Sequence, residues 1–311
     1  MAIELRHLRY FIVVAEEGHI TRAAERLGIQ QPPLSQLIKA IERELDVQLF
    51  HRRPRGVELT DAGRAFLDNS RAALAQLDHT FETTRRTARG EQGRISVGYS
   101  ISAALHPLLA RVIREFRDTY PLVSVTVADG FPDDLVERMR NDQIDVICVG
   151  TAVANPEGIV IDLLLEEPMV VALPSGHALA RAENRGNTAL SWKALANEAF
   201  ILLGRPHGAL ALQMNAIVAA CQAAGFSPRV RHVVLNNISR LALVAAGLGI
   251  AVVTASMQRM NIEGVVYRRL KSATQLKAPL ILASRRGEAS PVVRQFRTLA
   301  RRMAKNFSTA P

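Results

Sequence analysis

Apolar positions recur at helical spacing through the first 45 residues, then give way to a short alternating stretch, one long helix, and finally strands separated by helices. An amphipathic helix begins close to Met1, and a second follows over Ile20 to Leu27, where Ala23, Ala24 and Leu27 form a small inner face that a neighbour can cross closely. Gly28 supplies the backbone freedom of a tight turn, and Pro32 falls in the opening turn of a third helix, where a missing N–H costs little. Leu34, Leu37, Ile38 and Ile41 repeat inward along that helix. Beyond Leu45, Val47, Leu49 and Phe50, the segment His51 to Thr60 predicts two short strands turning at Pro54 to Gly56. Thr60 to about Arg89 reads as one helix, with Thr60 as its cap and Asp61 in its first turn. On it Leu67, Leu74 and Phe81 form one seven-residue series and Ser70, Leu77 and Thr84 another, a short seam suited to pairing two chains or to packing on its own domain. Gly90 and Gly93 end this helix in a hinge.

The third helix turns Gln31, Ser35, Gln36 and Lys39 outward, short or amide side chains suited to base edges and phosphates in a major groove. Two helices joined at a glycine also describe an ordinary helical hairpin; the basic wing that follows argues for nucleic acid, because Arg52, Arg53 and Arg55 are dense enough to meet a phosphate backbone or a minor groove. Residues 5 to 67 carry Leu-Arg-His-Leu-Arg-Tyr-Phe, Ala-Glu-Glu-Gly, Ala-Ala-Glu-Arg-Leu, Gln-Pro-Pro-Leu-Ser, Leu-Asp-Val-Gln-Leu-Phe and Leu-Thr-Asp-Ala-Gly, in order and without gaps. This series resembles the DNA-binding region of LysR-type transcriptional regulators, most of all regulators of aromatic-compound catabolism. The resemblance implies a winged helix-turn-helix over 1–60, a dimerising linker helix over 61–90 and an effector domain over 91–311. The expected DNA contacts are Thr21, Arg22, Gln30, Gln31, Pro32, Pro33, Ser35, Gln36, Lys39, Arg52, Arg53 and Arg55. Pairing through the linker would bring two recognition helices to two half-sites of double-stranded promoter DNA.

From Arg94 onward the pattern predicts strands at Ile95 to Tyr99, Val123 to Val127, Ile144 to Val149, Val170 to Leu173, Phe200 to Leu203, Arg229 to Val234, Ala251 to Val253, Val265 to Arg269 and Leu280 to Ala283. Helices fit Ala103 to Tyr120, Pro132 to Arg140, Ala209 to Ala224, Ile238 to Ala246 and Pro291 to Lys305. Strands alternating with helices imply α/β domains with parallel sheets. The segments Val244 to Ile250 and Asp142 to Asp145 also match the family's effector domain, which is similar to a two-lobed periplasmic-binding-protein (type 2) fold. By that analogy one lobe combines about 94–162 with 267–303 and the other spans about 163–266. A ligand belongs between the lobes, at strand C-termini and helix N-termini. Ser100 and Ser102 follow the first strand there and suit a small carboxylate, although plain helix capping explains the same residues. Phe131, Gly150, Thr151, Leu203, Arg205 and Asn236 are further candidates, with Arg205 either pairing a carboxylate or standing as a solvated loop arginine. Where the family often has Ser or Thr after its second strand this chain has Phe131-Pro132, which removes a hydroxyl donor.

The net charge of +10 adds little to the DNA argument. Residues 1–90 hold 14 Lys/Arg against 12 Asp/Glu, whereas 11 basic residues face only Glu288 between Arg268 and Lys305. That stretch reads as a solvated helix face, or as an attractor of acidic effectors or of neighbouring DNA. The eight histidines are scattered, neither cysteine has metal-ligand spacing, and Gly247-Leu248-Gly249 lacks the rest of a dinucleotide fingerprint, so no enzyme, metal or cofactor is expected. Cys148 and Cys221 read as small buried hydrophobes of a reducing cytosol. Nothing in the first residues resembles a signal peptide, and the apolar run Leu241 to Met257 is broken by Gly247 and Gly249, so a cytoplasmic protein without a membrane span is expected. The reading is a regulator controlled by a small organic acid, assembled as a homodimer or homotetramer, with RNA polymerase a further candidate partner. The rival is an architectural DNA-binding protein whose α/β half serves assembly alone.

Overall fold

The computed structural model describes residues 3–54, 56–154, 156–181, 189–205, 207–271 and 276–308. They fall into two compact units, 1–86 and 87–311. Arg55, expected in the wing, lies outside the described residues.

The first unit opens with α1 (Leu5–Glu17), where Glu4 and His7 cap each other's backbone and Gly18 closes the last turn in the left-handed conformation. Helix α2 (Ile20–Leu27) follows, and Gly28, at φ +67°, lets the chain turn into α3 (Gln31–Leu45). Strands β1 (Phe50–Arg53) and β2 (Gly56–Leu59) pair antiparallel, with Phe50 opposite Leu59 and Arg53 opposite Gly56. Phe11, Val14, Ala23, Ala24, Leu34, Ile38, Ile41, Leu49 and Phe50 make one core. Phe11 anchors it, 5.1 Å from Phe50 and edge-on to Phe66 at 4.8 Å between ring centres. Helix α4 spans Asp61–Arg89, and Thr60 Oγ1 caps it by accepting from Gly63 N at 2.9 Å.

The second unit is built on a sheet ordered β10-β6-β11-β5-β3-β4, with β9 also on β6. Its strands are β3 (Gln92–Tyr99), β4 (Leu122–Asp129), β5 (Val146–Val149), β6 (Ile159–Pro174), β9 (Ala251–Thr254), β10 (Val265–Arg269) and β11 (Lys277–Arg285). A separate parallel pair joins β7 (Ala199–Leu203) to β8 (Arg229–Val234). The helices are α5 (Ile101–Leu105), α6 (Pro107–Thr119), α7 (Pro132–Arg140), α8 (Ala209–Ala223), α9 (Asn237–Ala245) and α10 (Pro291–Ser308).

The sheet corrects the expectation of parallel pairing. Only β3 with β4 and β3 with β5 run parallel in it, because β11 returns antiparallel along both β5 and β6. The single helix expected from Ala103 to Tyr120 is two. Pro107 has no N–H to donate and pushes His106 out of the helical region, to φ −78° and ψ 127°, where its Nδ1 accepts from Leu108 N at 3.2 Å. Strand β6 is 16 residues long rather than four. Its Ile159 packs with Leu135, Val136 and Met139 of α7, whereas Met169, Val171 and Leu173 pack with Phe200 and Leu202 of β7. The basic C-terminal stretch is partly neutralised: Arg297 and Arg301 meet Asp162 at 2.7 and 3.6 Å, and Arg285 meets Asp142, Asp145 and Glu288. Among the described residues no helix is long and apolar enough to cross a membrane.

Candidate functional site

Burial of Leu34, Ile38 and Ile41 along one side of α3 turns Gln31, Pro32, Pro33, Gln36 and Lys39 out to solvent, with Ser35 half-buried beside them. Thr21, Arg22 and Gln30 are exposed just before that face, and Arg52 and Arg53 are exposed on β1. Lys39 and Arg52 have no side-chain partner among the described residues. Arg53 does: its Nε and Nη2 each lie 3.0 Å from Glu58 Oε2 across the hairpin, so it meets a phosphate only by leaving that carboxylate. Arg22 Nη2 donates to Glu17 O at 2.6 Å.

Two supports of this face were not visible from spacing alone. Glu42 Oε1 accepts from Leu49 N at 2.8 Å and Phe50 N at 3.2 Å, which fixes the start of β1 to α3. Val57 N donates to Gly18 O at 2.8 Å, and Gly56 lies so close that a Cβ there would fall 2.2 Å from Gly18 O. Glu16 accepts from both Arg26 and Arg71, holding α2 and α4 beside α1, and the Arg71 hydrogen bond keeps its carboxyl below the usual carboxylate range.

In the second unit a cleft of about 130 Å³ opens where β3, β5 and β7 end and where α5, α7 and α9 begin. That is close to the ~150 Å³ that accepts a benzene ring. Ser100, Ser102, Phe131, Gly150, Thr151, Leu203 and Asn236 line it. Arg205 does not. Its guanidinium stacks 4.3 Å over the Phe131 ring and stands 4.0 Å from Asp134, a shelf behind the cleft wall. Ser100 is 4% exposed, and its Oγ is already engaged with Ala103 N at 3.4 Å, Gly150 N at 3.2 Å and Ser102 Oγ at 3.1 Å. Asn236 Oδ1 caps α9 through Ser239 N at 2.8 Å. Gly150 keeps the cleft open: a Cβ there would lie 2.6 Å from Ser102 Oγ.

Asp133 and Arg240 escaped the sequence reading. Asp133 on α7 accepts from Ala209 N through both oxygens, at 3.1 and 3.2 Å, and Thr151 Oγ1 donates to Ala209 O at 3.4 Å, so the start of α8 is tied to α7 and to the segment that follows β5. Arg240 is a cleft-lining side chain only 1% exposed. Its one signal in the sequence was a charge set among Ile238, Leu241 and Val244 on a short apolar helix. Burial lowers its guanidinium to about 10, still protonated near neutrality. Burial also raises the Cys148 and Cys221 thiols, to about 12 and about 11, which keeps both unreactive there. Among the described residues no group of three or more His, Cys, Asp or Glu is placed to hold a metal ion.

Residues 5–64 match the model of the bacterial regulatory helix-turn-helix protein, lysR family, and residues 88–305 match the LysR substrate binding domain. The chain is 34% identical to the HTH-type transcriptional regulator AlsR of Bacillus subtilis over 94% of each chain. It is 35% identical to the HTH-type transcriptional regulator BudR of Raoultella terrigena, over 94% of this chain and 99% of that one. Among solved structures, full-length CbnR in complex with its target DNA superposes with a TM-score of 0.80 at 28% identity, covering 97% of this chain and 100% of that one.

Proposed function

This chain belongs to the LysR family of DNA-binding transcriptional regulators, and from that premise we propose that it reads promoter DNA through α3 and the β1–β2 wing under the control of a small organic acid held in the cleft. The observation that carries this reading is the pairing of an exposed polar face on α3 with a small-molecule cleft at strand ends in the second unit. Gln31, Ser35 and Gln36 face base edges, with Thr21, Arg22, Gln30, Pro32, Pro33 and Lys39 around them. Arg52, Arg53 and Arg55 meet phosphates or the minor groove. The structure of CbnR on its target DNA supports this assignment by similarity.

The domain division we propose keeps the winged helix-turn-helix at 1–60, the linker at 61–90 and the effector domain at 91–311, with one lobe at about 94–162 and 267–303 and the other at about 163–266. Support for a paired linker comes from α4, where Leu74 and Leu77 are half-exposed and Phe81 is 52% exposed, an apolar stripe without a cover in the single chain. The protein acts in the cytoplasm as a homodimer or homotetramer that engages RNA polymerase and catalyses nothing. Acid binding shifts the two lobes, through the α7–α8 tie at Asp133, and with them the spacing of the paired recognition helices.

The test is a mobility-shift titration at fixed salt. Gln31→Ala and Ser35→Ala should each weaken binding to the native promoter by about 1–3 kcal/mol while leaving non-specific binding near the parent's. Parent-like affinity in both contradicts the assignment of α3 as the reading helix.

A further inference from the structure

Among the described residues nothing neutralises the charge of Arg240. Its side chain is 1% exposed, yet it makes no ion pair among the described residues. Nη2 donates to Asn237 Oδ1 at 2.5 Å and Nη1 reaches Val252 O at 3.5 Å, whereas Nε has no partner. The ionisable neighbour that registers at it is Tyr267, whose phenol is itself raised by burial and so stays neutral. A guanidinium removed from water without a carboxylate is costly, and buried charges are ordinarily paired. This one lines the cleft beside Leu203, Leu235 and Met257, an apolar wall that strengthens any charge pairing made against it.

The opposite side of the cleft is polar, with Ser100 and Ser102 beside the exposed Asp129 at the end of β4, so a ligand's carboxylate belongs at the Arg240 end. Ser100 is committed to the backbone N–H groups of Ala103 and Gly150, whereas the half-buried Ser102 hydroxyl, bonded only to Ser100 Oγ among the described residues, can also meet a ligand. The five-residue helix it belongs to adds no site of its own. Arg205, outside the lining, faces Phe131 and Asp134.

We propose that Arg240 is the counter-charge of the effector site: it pairs with the carboxylate of a small acid, whose other end is an apolar body carrying a polar group toward Ser102. The class is therefore an unsaturated, aromatic or oxo carboxylic acid, and the neutral amide of the same shape is excluded because it leaves Arg240 unpaired. This rests on the reading of the cleft as an organic-acid site and names the residue that makes it one. A docked carboxylate also completes the wall between α9 and β9, so an acid supplies the missing half of a buried ion pair and stabilises the occupied form.

The experiment uses the full chain, with sodium pyruvate, sodium benzoate and cis,cis-muconate as probes and pyruvamide and benzamide as neutral controls, in calorimetric titration and thermal melting. At least one carboxylate should bind the parent and its amide should not. Arg240→Met should bind that carboxylate at least tenfold more weakly, and without acid it should melt at or above the parent's Tm because an unpaired buried charge is gone. Arg240→Lys keeps the charge and loses the planar fork, so it should bind several-fold more weakly than the parent, and it serves if the methionine variant does not fold. Parent-like affinity in Arg240→Met, or in Arg240→Lys should the methionine variant not fold, overturns the assignment to Arg240 and leaves the organic-acid reading standing. A parent that responds to none of the three acids overturns both.

Discussion

Gly63→Ala should destabilise the first unit by about 3 kcal/mol and abolish binding to DNA of any sequence. On helix propensity alone the change would be favourable, since alanine gains about 1 kcal/mol over glycine inside a helix. Packing reverses the sign. A Cβ at Gly63 would lie 2.0 Å from Leu49 O and 3.0 Å from Leu49 C, both backbone, so no side-chain rotation relieves it. Leu49 O is also the acceptor for Thr60 N at 3.0 Å, and Thr60 Oγ1 caps α4 through Gly63 N. Moving α4 away therefore breaks the cap and loosens the strand that carries Arg52 and Arg53. Denaturant unfolding followed by far-UV circular dichroism reads the loss. Trp192, the single tryptophan, is buried in the second unit and should report an unchanged transition there. A parent-like midpoint would mean that the close approach at Leu49 is not needed.

Arg285→Met should lower the stability of the second unit by about 3 kcal/mol, the opposite direction from Arg240→Met. Both are arginines of that unit, and what separates them is what they touch. Arg285 donates to Met139 O at 2.8 Å and Ile144 O at 2.7 Å, and its guanidinium lies 2.5 Å from Glu288, 3.1 Å from Asp142 and 3.4 Å from Asp145. Glu288 is only 12% exposed, so removal takes the guanidinium from its carboxylate and the donor from Ile144 O where α7 meets β5, although Asp145 keeps Ser96 N at 2.7 Å and Met139 O keeps Asp142 N at 3.3 Å. Arg285 itself is 22% exposed, and solvent moderates the loss below that of a wholly buried network. Because β5 leads into Gly150 and Thr151, acid binding should weaken along with stability. Thermal melting monitored at Trp192 distinguishes the two variants, and an unchanged Tm in Arg285→Met would contradict the network's role.

Much of the first unit was legible because its signals are local. Gly28 and Pro32 punctuate helices that the spacing of Ala23, Leu34 and Ile38 already implied, and Thr60 marks the start of α4. The cleft lining was legible for a different reason: strand ends before helices were enough to place Ser102, Gly150 and Asn236. What stayed hidden depends on residues distant in sequence. Glu166, Glu167 and Pro168 interrupt the apolar pattern of β6 and hide its length, although Glu167 is buried against Ser256 N and Oγ. The antiparallel return of β11 leaves no periodic signature. Nothing in the helix around Arg240 signals the β9 backbone packed against it, and Arg205 reads as a loop arginine whose charge the fold turns toward Phe131.

Above all we propose that α3 reads sequence for a paired regulator. Selection of bound duplexes from a random DNA pool by the purified full chain, at fixed salt, tests it most directly. Two related half-sites at a fixed spacing of about one helical turn, or a multiple of it, should be enriched, with the preference within each half-site lost in Gln31→Ala. Enrichment of no sequence, or the same sequences recovered by Gln31→Ala, would contradict it.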